Sequence, residues 1–314
     1  MDILVTGGSG QVGLALRRLA VPDGVRLHAP GRAELDLADP ASFGSAIADG
    51  RFAAVINAAA YTAVDKAESD VAAAFTVNAT AAAVLADATR RAGIPLVQVS
   101  TDYVFDGTRA GAYDEADPVC PVNVYGASKE AGEQAVRVIN PRHAIVRTAW
   151  VVSPDGANFV KTMLRLGAER PELGIVADQR GSPTSAADLA AVLLGIALRL
   201  VNDPAAPTGT FHAVNAGEAT WHDLARRVFE TAARLGRPGP VVRAIGTSDY
   251  PTPARRPAHS VLSTARLSRD YGIRMRPWGE AIDDIVRELV ERECELMQRK
   301  GNKTSANLSK RRME

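Results

Sequence analysis

Cysteine is nearly absent: two in 314 residues, Cys120 and Cys294. Two thiols cannot build a disulfide framework or a cysteine-based zinc site. They read as unpaired thiols of a reducing, cytoplasmic setting. Net charge is equally scarce, since Lys+Arg 37 oppose Asp+Glu 36. That balance offers no overall attraction to nucleic acid or to an anionic membrane, so neither is an expected partner. The first residues, Met1-Asp2-Ile3-Leu4-Val5-Thr6-Gly7, lack the basic and apolar stretches of a signal peptide, and no leader is expected. No uninterrupted apolar run approaches the roughly 18–20 residues of a spanning helix. The longest, 189–201, contains Gly195 and Arg199 and reads as a buried helix.

What is present is rhythm. Apolar runs at 2–6, 25–29, 53–57, 95–101 and 144–150 read as strands. Helical spacing fills 10–19, 70–91 and 121–138. Strand, helix, strand in this order predicts parallel pairing with right-handed crossovers. The expected fold is α/β, a Rossmann-like doubly wound parallel sheet, with a smaller C-terminal α/β substrate lobe. Residues 1–150 form the dinucleotide-binding domain in this reading. Prolines then punctuate shorter elements, and 151–297 is read as mainly the substrate lobe, with some segments returning to the first domain. The 278–297 stretch closes the chain as a helix. Residues 298–314 are polar, partly basic and without apolar periodicity, and are expected to be a disordered tail.

The first strand runs into Gly7-Gly8-Ser9-Gly10-Gln11-Val12-Gly13. Gly7, Gly10 and Gly13 have G-x-x-G-x-x-G spacing between a strand and a helix, the context of a dinucleotide-binding turn. One glycine makes the turn, one admits a pyrophosphate, and one lets helix and sheet pack closely. No Gly-Lys-Ser/Thr follows, so this is no P-loop. After the second strand come Arg32, Glu34, Asp36 and Leu37. An arginine there suits the 2′-phosphate of NADP, which favours NADPH, with NADH possible through Glu34. Asp36-Leu37 is placed to meet the adenine.

Tyr125 and Lys129 form Y-x-x-x-K, four residues apart and so on one helix face. Hydride addition to a carbonyl carbon builds negative charge on oxygen, and a tyrosine hydroxyl can donate the proton. Lys129 is expected to lower the Tyr125 pKa from its usual value near 10 and to hold the nicotinamide ribose. The fourth strand ends at Thr101-Asp102-Tyr103. Thr101 is placed to polarise the carbonyl, Asp102 to bind substrate hydroxyls, and Tyr103 to line the sugar site. Small residues at Asn57-Ala58-Ala59-Ala60 let a cofactor lie close to the backbone.

Together these residues make the chain resemble the extended short-chain dehydrogenase/reductase superfamily and, within it, the dTDP-4-dehydrorhamnose reductases. The likeness is carried by GGSGQVG (7–13), NAAAYTAVDKAES (57–69), VSTDYVFDG (99–107), PVNVYGASKEAGE (121–133), RTAWV (147–151), DQRGSPT (178–184) and YPTPARRPAHSVL (250–262). These span nearly the whole chain up to the last helix. The resemblance implies NADPH- or NADH-dependent reduction of the C4 ketone of a dTDP-4-keto-6-deoxyhexose, dTDP-4-dehydro-β-L-rhamnose. It implies Thr101, Tyr125 and Lys129 as the catalytic set. It implies Gly10, Gln11, Val12, Asp36, Leu37, Ala60, Tyr61 and Thr62 along the cofactor. Thr101, Asp102 and Trp150 would meet the sugar, with Val64 and Tyr103 nearby. Arg256 is a candidate for the substrate diphosphate, because arginine suits bidentate phosphate contacts. Gln179 is a similar candidate from the second lobe.

One departure bears on assembly. Some members dimerise around magnesium through glutamates, one of them in the first helix, and the matching position here is Ala15. No metal is expected, and a monomer or a homodimer stays open. Three other readings stay open as well. One is a reductase of another dTDP-4-keto-6-deoxyhexose in a secondary-metabolite pathway. Another is an epimerase or dehydratase, disfavoured because Asp102 is followed by Tyr103 rather than a second carboxylate. The third is a non-catalytic dinucleotide-binding regulatory subunit, which has no need of Thr101, Tyr125 and Lys129 together.

Overall fold

A computed structural model describes residues 1–39, 43, 47 and 51–311, with side chains as far as residue 295. Five strands follow the expected rhythm: β1 (Asp2–Thr6), β2 (Arg26–His28), β3 (Phe52–Asn57), β4 (Leu96–Thr101) and β5 (His143–Thr148). The Gly209–His212 strand joins them beside β5, so the chain re-enters the first sheet late. All five pairings are parallel, and the six strands lie in the order Gly209–His212, β5, β4, β3, β1, β2. The order reverses at β1, which has β2 on one side and β3 on the other. Ligands of such sheets bind beyond the strand C-termini at that reversal.

The strands are apolar on both faces because helices cover both. Ile3, Val5, Ala54, Val97 and Val146 pack with Leu189, Leu193, Ile196 and Leu200 of the Ala186–Asn202 helix. Leu4, Val55, Leu96 and Ile145 pack on the other face with Leu85 and Val136. A separate core holds Val160, Met163, Ile175, Leu224, Val228, Ile282 and Val286. It lies under the two-stranded parallel ribbon of Glu172–Val176 with Val241–Ile245.

Three features depart from the sequence expectations. The 70–91 helix is interrupted by a π-helical turn at Thr76–Thr80. As one helix, Val71–Arg91 is long and apolar enough to cross a membrane by length and composition, whereas no such run was expected. Its Ala81, Ala82, Leu85 and Ala86 are buried in the core against the sheet. The last helix runs Trp278–Arg311, past residue 297 and into the stretch expected as a tail. Residues 298–311 contain no proline, and their Lys, Arg, Ala and Leu tolerate helix well. Residues 312–314 of that expected tail lie outside the described residues.

Candidate active site

The glycine turn is built by close approach. Gly7 has φ +74°, and a Cβ there would lie 2.8 Å from the Ala59 backbone. A Cβ on Gly13 would lie 2.1 Å from the Gly7 carbonyl oxygen, so that residue packs helix on turn. Gly8 escaped the sequence reading, yet a Cβ there would strike the Ala29 carbonyl at 2.1 Å. Gly10 caps the Gln11–Arg18 helix with no side-chain partner for its first N–H groups. Such groups point outward and favour an anion. A Cβ on Gly10 would meet only the Gly7 oxygen, at 3.4 Å, leaving open space before those donors. Gln11 ties the turn to the segment after β5. Its Nε2 donates to the Val151 carbonyl (3.3 Å), and its Oε1 accepts from Ser153 (3.1 Å) and Asn158 (3.0 Å).

At the β2 end, Arg32 Nε donates to Asp36 at 3.2 Å. The Ala38 N–H, against the cost of burial and with help from Arg32, holds the Asp36 carboxyl below its usual range. Glu34 turns away and accepts from the Gly31 N–H at 3.0 Å. Arg32 therefore faces the cleft while Glu34 closes its own turn. An uncapped helix N-terminus and an exposed arginine at the cleft suit the pyrophosphate and 2′-phosphate of NADP.

The reactive end lies where β4 and β5 stop. Thr101 and Thr148 are register partners there. The Val124–Ile139 helix presents Tyr125 and Lys129, and Asn123 caps it by accepting from the Gly126 N–H at 2.8 Å. A Cβ on Gly126 would lie 2.1 Å from the Tyr103 carbonyl, which brings this helix hard against the β4 turn. Thr101 Oγ1 donates to Asp102 Oδ1 at 3.0 Å. Burial pushes the Tyr125 hydroxyl up to about 12, and a hydrogen bond with the Thr101 side chain opposes it. This corrects the expectation that Lys129 lowers the Tyr125 pKa. The Lys129 ammonium turns elsewhere, donating to the Val99 carbonyl at 2.7 Å. Burial brings Lys129 down to about 8, with the Glu133 charge opposing.

Three residues that sequence reasoning missed hold the walls. Asn78, buried in the π-helical turn, accepts from the Tyr61 N–H (2.8 Å) and donates to the Tyr61 carbonyl (3.1 Å) and to Ser128 Oγ (2.9 Å). It joins the 60–62 loop to the tyrosine–lysine helix. An asparagine inside an alanine-rich helix is its only sequence signal. Trp221 stacks on Trp150 with centroids 3.6 Å apart and planes at 9°. Trp150 takes φ +46°, a strained conformation for a non-glycine residue, and Gly181 makes room for its indole. The third, Ser260, is taken up below.

One cavity of about 980 Å³ collects most of the expected residues. Gly7, Gly10, Gln11, Val12, Arg32, Asp36, Leu37, Ala60, Tyr61, Thr62 and Val64 line one stretch, and Thr101, Asp102, Tyr103, Tyr125, Lys129 and Trp150 line the other. Gly13, Gln179 and Arg256 do not line it. Gln179 sits behind the paired indoles, accepting from Trp221 Nε1 (3.2 Å) and donating to Thr247 (3.0 Å). Arg256 is held by Asp65, with Nη2 at 2.8 Å from Oδ2 and Nη1 on Oδ1. Among the described residues no cluster of three His, Cys, Asp or Glu side chains is arranged to hold a metal.

A doubly wound parallel sheet, a glycine turn at its reversal point and a tyrosine–lysine pair beside a strand-end threonine define a Rossmann-fold reductase of the short-chain dehydrogenase/reductase type. The family model described as RmlD substrate binding domain matches residues 1–291. The chain is 44% identical over 287 residues to a dTDP-4-dehydrorhamnose reductase of Sinorhizobium fredii, covering 91% of this chain and 97% of that one. It is 47% identical over 298 residues to the one from Burkholderia thailandensis, covering 92% and 99%. A solved dTDP-4-dehydrorhamnose reductase of Bacillus anthracis, in complex with NADP, superposes with a TM-score of 0.84 at 35% identity, covering 91% of this chain and 99% of that one. The chain belongs to the dTDP-4-dehydrorhamnose reductase family.

Proposed function

We propose that this protein reduces the C4 ketone of dTDP-4-dehydro-β-L-rhamnose with NADPH, giving dTDP-β-L-rhamnose. The observation that carries the reading is the gathering of the glycine turn, Arg32, Thr101, Tyr125 and Lys129 on one cavity in a chain of this family. NADPH supplies the hydride when bound; position and electrostatics are the protein's share. Thr101 donates to the ketone oxygen and polarises it. Tyr125, neutral because burial holds its proton, releases that proton to O4 as charge develops there. Lys129, whose ammonium lies on the same cavity and donates to the Val99 carbonyl, holds the nicotinamide ribose. The paired indoles form the apolar wall, and the sugar lies against them. The reaction takes place in the cytoplasm, in keeping with two exposed, unpaired cysteines.

Lys129 is charged only below about 8. Turnover is therefore expected to fall as pH rises through that value, which a pH–rate profile checks. Arg32→Ala should raise the KM for NADPH about tenfold or more, the loss of one charge-assisted contact, and leave that for NADH unchanged. Equal losses with both cofactors would remove Arg32 from the 2′-phosphate. Product identity tests the sugar assignment. NMR of the product from dTDP-4-dehydrorhamnose should give the rhamno configuration, and the opposite configuration at C4 would assign the enzyme to another dTDP-deoxyhexose.

A further inference from the structure

Ser260 lies outside the cavity, yet it governs a group inside it. It is buried, and its Oγ donates to Asp102 Oδ2 at 2.6 Å. The other oxygen of Asp102 accepts from Thr101. Thr101 in turn accepts from the Tyr103 N–H at 3.2 Å and meets the Tyr125 hydroxyl. A hydroxyl has one donor and two acceptor positions, so Thr101 is fully used. Asp102 lines the cavity and is 2% exposed.

The strap that delivers Ser260 is anchored on two other walls of the site. Ala254 N–H donates to Asp65 at 3.2 Å, and Arg256 pairs with the same carboxylate. Asn123, the cap of the tyrosine–lysine helix, donates to the Arg255 carbonyl at 2.8 Å. The Ser260 N–H donates to the Arg180 carbonyl at 2.8 Å. Ser260 thus stands at a fixed point relative to Asp102.

A ketone entering the site needs the Thr101 hydrogen that Asp102 Oδ1 now receives. If Thr101 turns to the ketone, the buried Asp102 carboxylate loses one side-chain donor and keeps Ser260 and the backbone N–H groups of its own turn, and losing a donor to a buried charge is costly. The sugar brings its own replacement, a hydroxyl on the carbon beside the ketone. We infer that Ser260 is a positioning residue of the reduction: it fixes one oxygen of ionised Asp102 so that the other can pass from the Thr101 hydroxyl to a hydroxyl of the sugar. The inference rests on the keto-sugar reading above.

Asp102 is pushed up to about 6 by burial, with Ser260 and then Thr101 opposing. Its titratable neighbours are Tyr103 on its own turn and Tyr125 on the facing helix, and both hold their protons throughout this range. Arg256 and Asp65, which face Tyr103, compensate each other. Lys129 is engaged with Val99 and Glu133. The ionised form of Asp102 exists above its pKa, so kcat/KM should fall as pH drops through about 6. Loss of the Ser260 donor raises that pKa and moves the acid limb to higher pH.

The test compares wild type, Ser260→Ala, Ser260→Thr and Asp102→Asn. The Asp102 carboxyl is followed by carbon-13 NMR in the ligand-free protein, with Asp102→Asn giving the assignment. Ser260→Ala should titrate at higher pH and raise the KM for the keto-sugar about tenfold, with NADPH affinity unchanged and Ser260→Thr largely restored. An unchanged Asp102 titration and an unchanged kcat/KM profile in Ser260→Ala would overturn the inference. So would an acid limb that survives in Asp102→Asn, which decides the matter if Ser260→Ala does not fold. If wild type fails to reduce the keto-sugar, the functional reading falls, while the NMR titration still tests the Ser260–Asp102 link.

Discussion

Tyr125→Phe should reduce turnover about 10²- to 10⁴-fold while NADPH binds as before, the range of a lost general acid. The hydroxyl is the only group removed. The ring keeps its edge-on contact with Tyr103, with centroids 5.7 Å apart at 75°. Lys129 keeps its bond to the Val99 carbonyl, and the Asn123 cap is untouched. Steady-state turnover beside a fluorescence titration of NADPH separates chemistry from binding. Turnover at the wild-type rate would remove Tyr125 from the mechanism. The burial that raises its pKa to about 12 is consistent with a donor that keeps its proton until charge appears on the substrate oxygen.

The second large effect is one of stability. Glu133→Ala should destabilise the fold by about 3–5 kcal/mol, the range for breaking a buried ion pair from one side. Arg147 lies inside the sheet with its side chain 2% exposed, and Glu133 is fully buried. Arg147 Nε and Nη2 donate to the two Glu133 oxygens at 2.9 and 2.7 Å. Arg137 adds a third contact from the same helix. Alanine leaves the Arg147 guanidinium buried against the Phe105 ring with no countercharge. Denaturant unfolding of the ligand-free protein checks this, and a loss below about 1 kcal/mol would mean that water reaches Arg147. The same carboxylate opposes the burial of Lys129. Glu133→Gln should therefore move the alkaline limb of turnover to lower pH.

The parts of the site that were legible in the sequence are local ones. A glycine turn after an apolar strand, and a tyrosine and lysine four residues apart, are written within a dozen positions. Parallel strands were legible because both of their faces are buried and they read as unbroken apolar runs. What stayed hidden depends on contacts across the chain. Asp65 meets Arg256 191 residues away, and Asp102 meets Ser260 158 residues away. Spacing says nothing about such pairs. The Arg256 expectation illustrates the point: its chemistry suits a diphosphate, but in the folded chain a carboxylate holds it. The tyrosine–lysine pair was found, and its electrostatics were not. Adjacency on a helix face suggested that the ammonium sets the tyrosine pKa, whereas burial of both groups decides it. The final helix passed its expected end because polar residues can continue a helix that no proline or cap stops.

The central claim is hydride transfer to C4 of a dTDP-keto-sugar at the Tyr125 site. NADPH deuterated at the nicotinamide C4 tests it directly, with dTDP-4-dehydrorhamnose as substrate and NMR of the product. The account predicts one deuterium at C4 of the sugar for each NADPH consumed, and close to none with Tyr125→Phe. NADPH that binds but is not oxidised, or a product with no deuterium at C4, would contradict it.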